Sequence, residues 1–194
     1  MAIDARTLKI YENNVFESLM KPLDDEQAIA IGLEPITDEA LEVNHKTREE
    51  LSRAPDRLVV WKNFCDFVDS YNFKKNTWGA PISVGYNSDG FDFHIATRLC
   101  IDVGRFDEST GRQTLFSPIF KKDLMQIIHD YTENSRELKS YSFDSIREWL
   151  GLSKAGAHDA KVDVLQGAKV FVRFMQLIRR VAQKTKFKGA MASE

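Results

Sequence analysis

The sequence predicts an α/β protein. Short stretches of strand character alternate with segments whose apolar residues recur every three or four positions. Hydrophobic residues make up 43% of the 194 and charged residues 29%, the balance of an ordinary globular chain. That composition excludes a disordered, collagen-like or coiled-coil protein. A chain of this length buries roughly 70% of its unfolded surface without staples, which suggests one domain over 1–188 and a short tail at 189–194. No repeat and no low-complexity linker interrupts it.

The elements follow in order. Ala2 to Ile10 has the pattern of a strand tail leading into a hairpin. Val15 to Lys21 mixes apolar and polar residues like a half-exposed strand, ended by Pro22. Thr37 is suited to cap a short helix whose first turn holds Asp38 and Glu39. Thr47-Arg48-Glu49-Glu50 is a capping box. After Pro55, the spacing of Leu58, Trp61, Phe64, Cys65 and Val68 predicts a helix with a buried stripe. Pro81 to Tyr86 alternates like a strand and runs into Asn87-Ser88-Asp89-Gly90. Phe91 to Ile101 is expected to be helical, with Phe91, Ile95, Leu99 and Cys100 on one side. Asp123-Leu124-Met125 fits a short strand or helix. Tyr141 to Leu150 predicts a helix stopped by Gly151. Asp159 to about Lys186 predicts a long helix with Val162, Leu165, Phe171, Phe174, Met175, Ile178 and Val181 inward.

Cellular context follows from what the chain lacks. No apolar run approaches the ~18 residues of a membrane span, and Met1-Ala2-Ile3-Asp4-Ala5-Arg6 has no signal-peptide core. Cys65 and Cys100 sit in apolar contexts and suit reduced core thiols. The expectation is a cytoplasmic protein without a membrane partner.

Charge is distributed unevenly. The chain carries 27 basic and 29 acidic residues, net −2, but between Val164 and Ser193 there is no Asp or Glu. Seven of the basic residues lie in that stretch, which leaves 20 against 29 acidic elsewhere, a net of −9. At 100° per residue, Lys169, Arg173, Arg180 and Lys184 fall within roughly 60° of one another on a helix. This basic stripe fits a polyanionic partner or a solvated outer face.

Two sets of residues could carry chemistry. Asp92 follows a strand and a polar loop at the start of a helix, where ligands of α/β folds gather. A carboxylate there suits a hard cation such as Mg²⁺, although alone it is more simply a first-turn Asp facing the helix dipole. His158 and Asp163 are five residues apart, so their side chains diverge by roughly 140° in a continuous helix. They can converge if Gly151 to Ala157 is a mobile loop and the helix begins just after His158. The imidazole then suits a general base, against the simpler roles of a capping histidine and a solvated Asp.

Asn87-Ser88-Asp89-Gly90-Phe91-Asp92 resembles the second motif of the DEDDh-type 3′–5′ exonucleases, the family of the bacterial proofreading subunit. His158-Asp159-Ala160-Lys161-Val162-Asp163 resembles its third. Phe16-Glu17-Ser18-Leu19-Met20-Lys21-Pro22, Asp123-Leu124-Met125 and Leu150-Gly151-Leu152 are also similar to family sequence. The resemblance implies a ribonuclease H-like fold, a mixed sheet with helices on both faces. It also implies two-metal hydrolysis with Mg²⁺ or Mn²⁺, in which Asp92 and Asp163 are metal ligands and His158 the base. Asn87 and Phe91 beside Asp92, with Lys169 and Arg173 on the stripe, are the candidate nucleic-acid contacts. The implied partners are a single-stranded 3′ end of DNA or RNA and a polymerase or another replication or repair protein.

The family's first motif, Asp-x-Glu on an opening strand, has no counterpart. The acids ahead of Phe16 are Asp4 and Glu12, eight apart, and Asp4 falls where the hairpin turns. The expectation is an exonuclease domain that begins late, lacking its first strand or about 20 residues, and catalytically impaired. A non-catalytic nucleic-acid-binding or polymerase-associated module is the alternative, and an α/β domain with accidental matches the third possibility.

Overall fold

The structure, a computed structural model, describes residues 1–153 and 159–185. The expected tail at 189–194 lies outside them. The chain is mixed α/β, as expected, and divides into two compact units: Phe16–Asp123, and Met1–Val15 with the chain from Leu124 onward.

In the second of these units, β1 (Ala2–Ile3) pairs antiparallel with β2 (Ile10–Tyr11), so the expected hairpin is present. Its turn is organised by Asp4, whose Oδ1 accepts from the backbone N–H of Arg6 at 3.0 Å and of Thr7 at 2.6 Å. These hydrogen bonds, those of Thr7 first, lower the carboxyl pKa of Asp4.

The remaining helices are set by apolar spacing and caps. In the unit Phe16–Asp123, α1 (Asp25–Ala30) is held by a capping box of Asp24 and Gln27. Thr37 caps α2 (Asp38–Val43), and Thr47 with Glu50 caps α3 (Arg48–Arg53), both as expected. Asp56 caps α4 (Arg57–Asp69). The core of this unit gathers Trp61, Cys65 and Val68 of α4 with Leu99, Cys100 and Leu115. Phe64 and Phe67 pack against that cluster, and Phe16 packs on them in tilted contacts with ring centroids 5.4 and 6.0 Å away.

Val15 to Lys21 is not a strand. Its Phe16 is spent on the aromatic cluster, and the Lys21 amide donates to Pro55 O at 2.8 Å. No neighbouring strand offers it a ladder among the described residues, and apolar alternation without a ladder makes no strand.

After a 3₁₀ turn at Thr77–Gly79 comes β3 (Ser83–Gly85), then α5 (Asp92–Asp102). A hairpin of β4 (Phe106–Asp107) and β5 (Arg112–Gln113), which sequence patterning did not reveal, precedes β6 (Lys121–Asp123). β3 and β6 are parallel, with Gly85 opposite Asp123. The described strands thus pair two by two. Phe91 corrects an expectation: it precedes α5 as its N-cap and is 65% exposed, whereas Leu99 and Cys100 are buried.

In the other unit, α6 (Leu124–Thr132) continues directly from β6, so Asp123-Leu124-Met125 is the junction of a strand and a helix. α7 (Phe143–Trp149) ends before Gly151, which takes φ +68°, a backbone region that glycine enters without a Cβ clash. α8 (Ala160–Lys184) starts at its cap Asp159, so the helix does begin just after His158. Ala168, Val170, Phe171 and Phe174 are its buried residues, together with Leu124, Ile128 and Ile146 of α6 and α7. Val181, expected inward, is exposed. Among the described residues no helix is long and apolar enough to cross a membrane.

Candidate functional site

The site begins with the loop joining β3 to α5. Gly85 allows it to fold back, since a Cβ there would lie 2.5 Å from Ser88 Cβ. Asn87 takes φ +52°, a left-handed conformation that Asn tolerates better than most residues. Asp123, at the end of the neighbouring strand, holds the loop in place. Its Oδ1 accepts from the Asn87 amide at 3.0 Å, and its Oδ2 from the Asp89 amide at 3.4 Å and from Ser88 Oγ at 3.5 Å. Ser88 is buried by this arrangement. Lys121, two residues back along β6, reaches Asp89 at 2.7 Å and lies over the Phe93 ring.

Asp92 opens α5 beyond the carboxyl ends of the two parallel strands. Phe91 gives that helix no side-chain cap. A first-turn carboxylate that only served the helix dipole would have a lowered pKa. That of Asp92 is raised, first by desolvation and then by the charge of Asp123, with its own backbone hydrogen bond opposing. The residue remains exposed, so the shift reflects crowding on one side of a carboxyl that water still reaches. A perturbed acid at the strand ends of an α/β unit marks a candidate functional position. Asn87 and Phe91 flank it, both exposed.

Asp163 lies in the first turn of α8. Its carboxylate accepts from Arg147, which is 2% exposed and also bonds Asp144 at 2.6 Å and Gln166 Oε1 at 2.8 Å. The guanidinium stacks 4.2 Å from the Phe143 centroid. Arg147 was missed by sequence reasoning; the acid three residues before it, Asp144, was its one local signal. Asp123 was missed as an anchor because its partners lie 34 to 36 residues away.

His158 lies outside the described residues. Lys169, Arg173, Arg180 and Lys184 are all exposed on α8. Arg179, by contrast, donates to the Ala5 and Arg6 carbonyls at 2.6 and 2.8 Å. Asp4, tied to its turn, has no free role in the site.

Mg²⁺ and Mn²⁺ take oxygen donors, and Asp92 and Asp123 are of that kind. Asp123, however, already serves the loop amides, and among the described residues no group of three or more His, Cys, Asp or Glu is placed to hold a metal. Comparison with protein-family models, with curated proteins and with solved structures finds no match for this chain.

Proposed function

We propose that this chain is a 3′–5′ exonuclease domain of ribonuclease H-like type, acting on single-stranded DNA or RNA ends. The observation that supports this reading best is Asp92, a desolvated acid at the start of α5 and beyond the ends of parallel strands β3 and β6. In this reading Asp92 and Asp163 are the acids for Mg²⁺ or Mn²⁺, and His158 is the base. Asn87 and Phe91 hold the terminal nucleotide, and Lys169 and Arg173 attract the strand. When bound, the cations would polarise the scissile phosphate and lower the pKa of water.

Turnover should be slow. Two carboxylates compensate the repulsion between two divalent cations less than four do, and Asp163 is already engaged by Arg147. That ion pair favours a second reading, a module that binds nucleic acid without cutting it or that attends a polymerase.

A 5′-labelled oligonucleotide incubated with Mg²⁺ or Mn²⁺ separates the two. Slow shortening from the 3′ end, abolished in Asp92→Asn, supports the exonuclease. Binding without shortening supports the module. Shortening that Asp92→Asn leaves unchanged would remove Asp92 from the site.

A further inference from the structure

The loop after α4 is unusual in what it leaves in water. Phe73 is 86% exposed and Trp78 79% exposed, two large rings five residues apart. Between them stand Lys74 and Lys75, and no acid occurs from Ser70 to Ser88. Neither lysine is ion-paired among the described residues.

The loop is built rather than slack. The Asn72 side-chain amide donates to Asn76 O at 3.0 Å, and Asn76 Oδ1 accepts from the Gly79 amide at 2.8 Å. Lys75 is held at φ +48°, a conformation that persists in a non-glycine residue only where its surroundings impose it. Gly79 is required at the close, since a Cβ there would lie 2.6 Å from Lys74 Cβ.

Beside the loop is an open cleft of about 410 Å³, lined in part by Asp69, Asn72, Lys75 and Arg105. Asp69 holds the Arg105 guanidinium through two hydrogen bonds of 2.8 and 2.9 Å. That leaves Arg105 Nε, a donor, and Asn72 Oδ1, an acceptor, both buried and without a hydrogen-bond partner. Exposed rings and unpaired lysines thus stand beside a polar cleft.

We propose that loop 72–79 and this cleft bind single-stranded nucleic acid, with bases stacking on Trp78 and Phe73 and phosphates meeting Lys74 and Lys75. Stacking uses the π-face that every base has, and the lysines supply sequence-independent attraction. The surface does not depend on the exonuclease reading, because a module that only binds would use it equally. An apolar protein partner would not call for two unpaired lysines between the rings. Nucleic acid does.

The test is fluorescence anisotropy of the full chain with labelled dT₁₂ and an abasic 12-mer, in EDTA so that no strand is cut. Trp78→Ala should weaken dT₁₂ binding by about 5- to 140-fold, the range of one base–aromatic stack, and leave abasic binding unchanged. Trp78→Phe should retain most of the affinity yet lose the quenching of tryptophan emission that dT₁₂ should cause in the wild type. Lys74→Gln with Lys75→Gln should weaken both ligands and make the log–log salt slope shallower by about 1.4, at 0.7 per phosphate. Unaltered dT₁₂ binding in Trp78→Ala overturns the proposal, as does an equal loss on the abasic strand or no binding by the wild type. Self-association that Trp78→Ala abolishes while dT₁₂ binding persists would assign the rings to a second copy of the chain instead. Because cutting is excluded, failure here is distinct from failure of the Asp92 assay.

Discussion

Replacing Arg147 is the most informative single perturbation of the α7–α8 region. Its guanidinium is 2% exposed and binds Asp144, Asp163 and Gln166 while stacking on Phe143. Removing one member of a buried ion pair costs about 3–5 kcal/mol, largely because the remaining charge is stranded. Here the acids are not fully buried, with side-chain exposures of 52% for Asp144 and 32% for Asp163, so water takes over part of that charge. Losing the ring contact adds about 0.5–2 kcal/mol. Arg147→Ala should therefore cost about 2–4 kcal/mol, read as a shift of the urea midpoint at pH 7. Arg147→Met keeps much of the stem packing and should cost less. Combined with Asp163→Asn in a double-mutant cycle, Arg147→Met should show a coupling of about 0.5–3 kcal/mol. An Arg147→Ala protein within about 0.5 kcal/mol of wild type, or a cycle without coupling, would refute the reasoning and leave Asp163 free of a structural role.

Four further outcomes are expected. The raised carboxyl of Asp92 means that the folded state holds its proton more tightly than the unfolded chain. The resulting stabilisation is full below the unfolded value of about 3.9 and is lost as pH rises through the folded one. Asp92→Asn should thus gain melting temperature relative to wild type between pH 3 and pH 7, and an opposite trend would contradict the desolvation argument. Asp123→Ala removes the acceptor for the Asn87 and Asp89 amides and should cost about 1–3 kcal/mol; faster hydrogen exchange at those amides is the readout, and unchanged exchange would discount the anchor. Cys65 and Cys100 are free and buried, with the Cys65 pKa pushed up first by its hydrogen bond to Cys100 and then by burial. A thiol-specific reagent should titrate two thiols per chain in denaturant but react slowly with the native protein; rapid native reaction would place the thiols at the surface. Replacing Lys169, Arg173, Arg180 and Lys184 together by Gln should weaken oligonucleotide binding and flatten its salt dependence; unchanged affinity and slope would reduce the stripe to a solubility role.

Short-range features were legible in the sequence for a physical reason. A helix cap involves residues two or three apart, so Thr37 and Thr47 announce α2 and α3 before any tertiary contact exists. Asp24 and Gln27 carry the same kind of local signal for α1. The α4 stripe and the basic face of α8 follow from helical periodicity alone. What only the tertiary structure decided is pairing. Val15 to Lys21 has strand alternation but no ladder, and its Phe16 instead joins the rings of Phe64 and Phe67. β4 and β5 are two residues each, too short for alternation to mark. The candidate site shows the same division. The sequence places Asp92 and Asp163 in the first turns of their helices, and those positions hold. Their surroundings come from distant residues: Asp123 folds the 87–89 loop beside Asp92, and Arg147 holds Asp163 from 16 residues away. Burial of Arg147 and the altered acidity of Asp92 arise from desolvation by packed neighbours, which periodicity and capping do not encode.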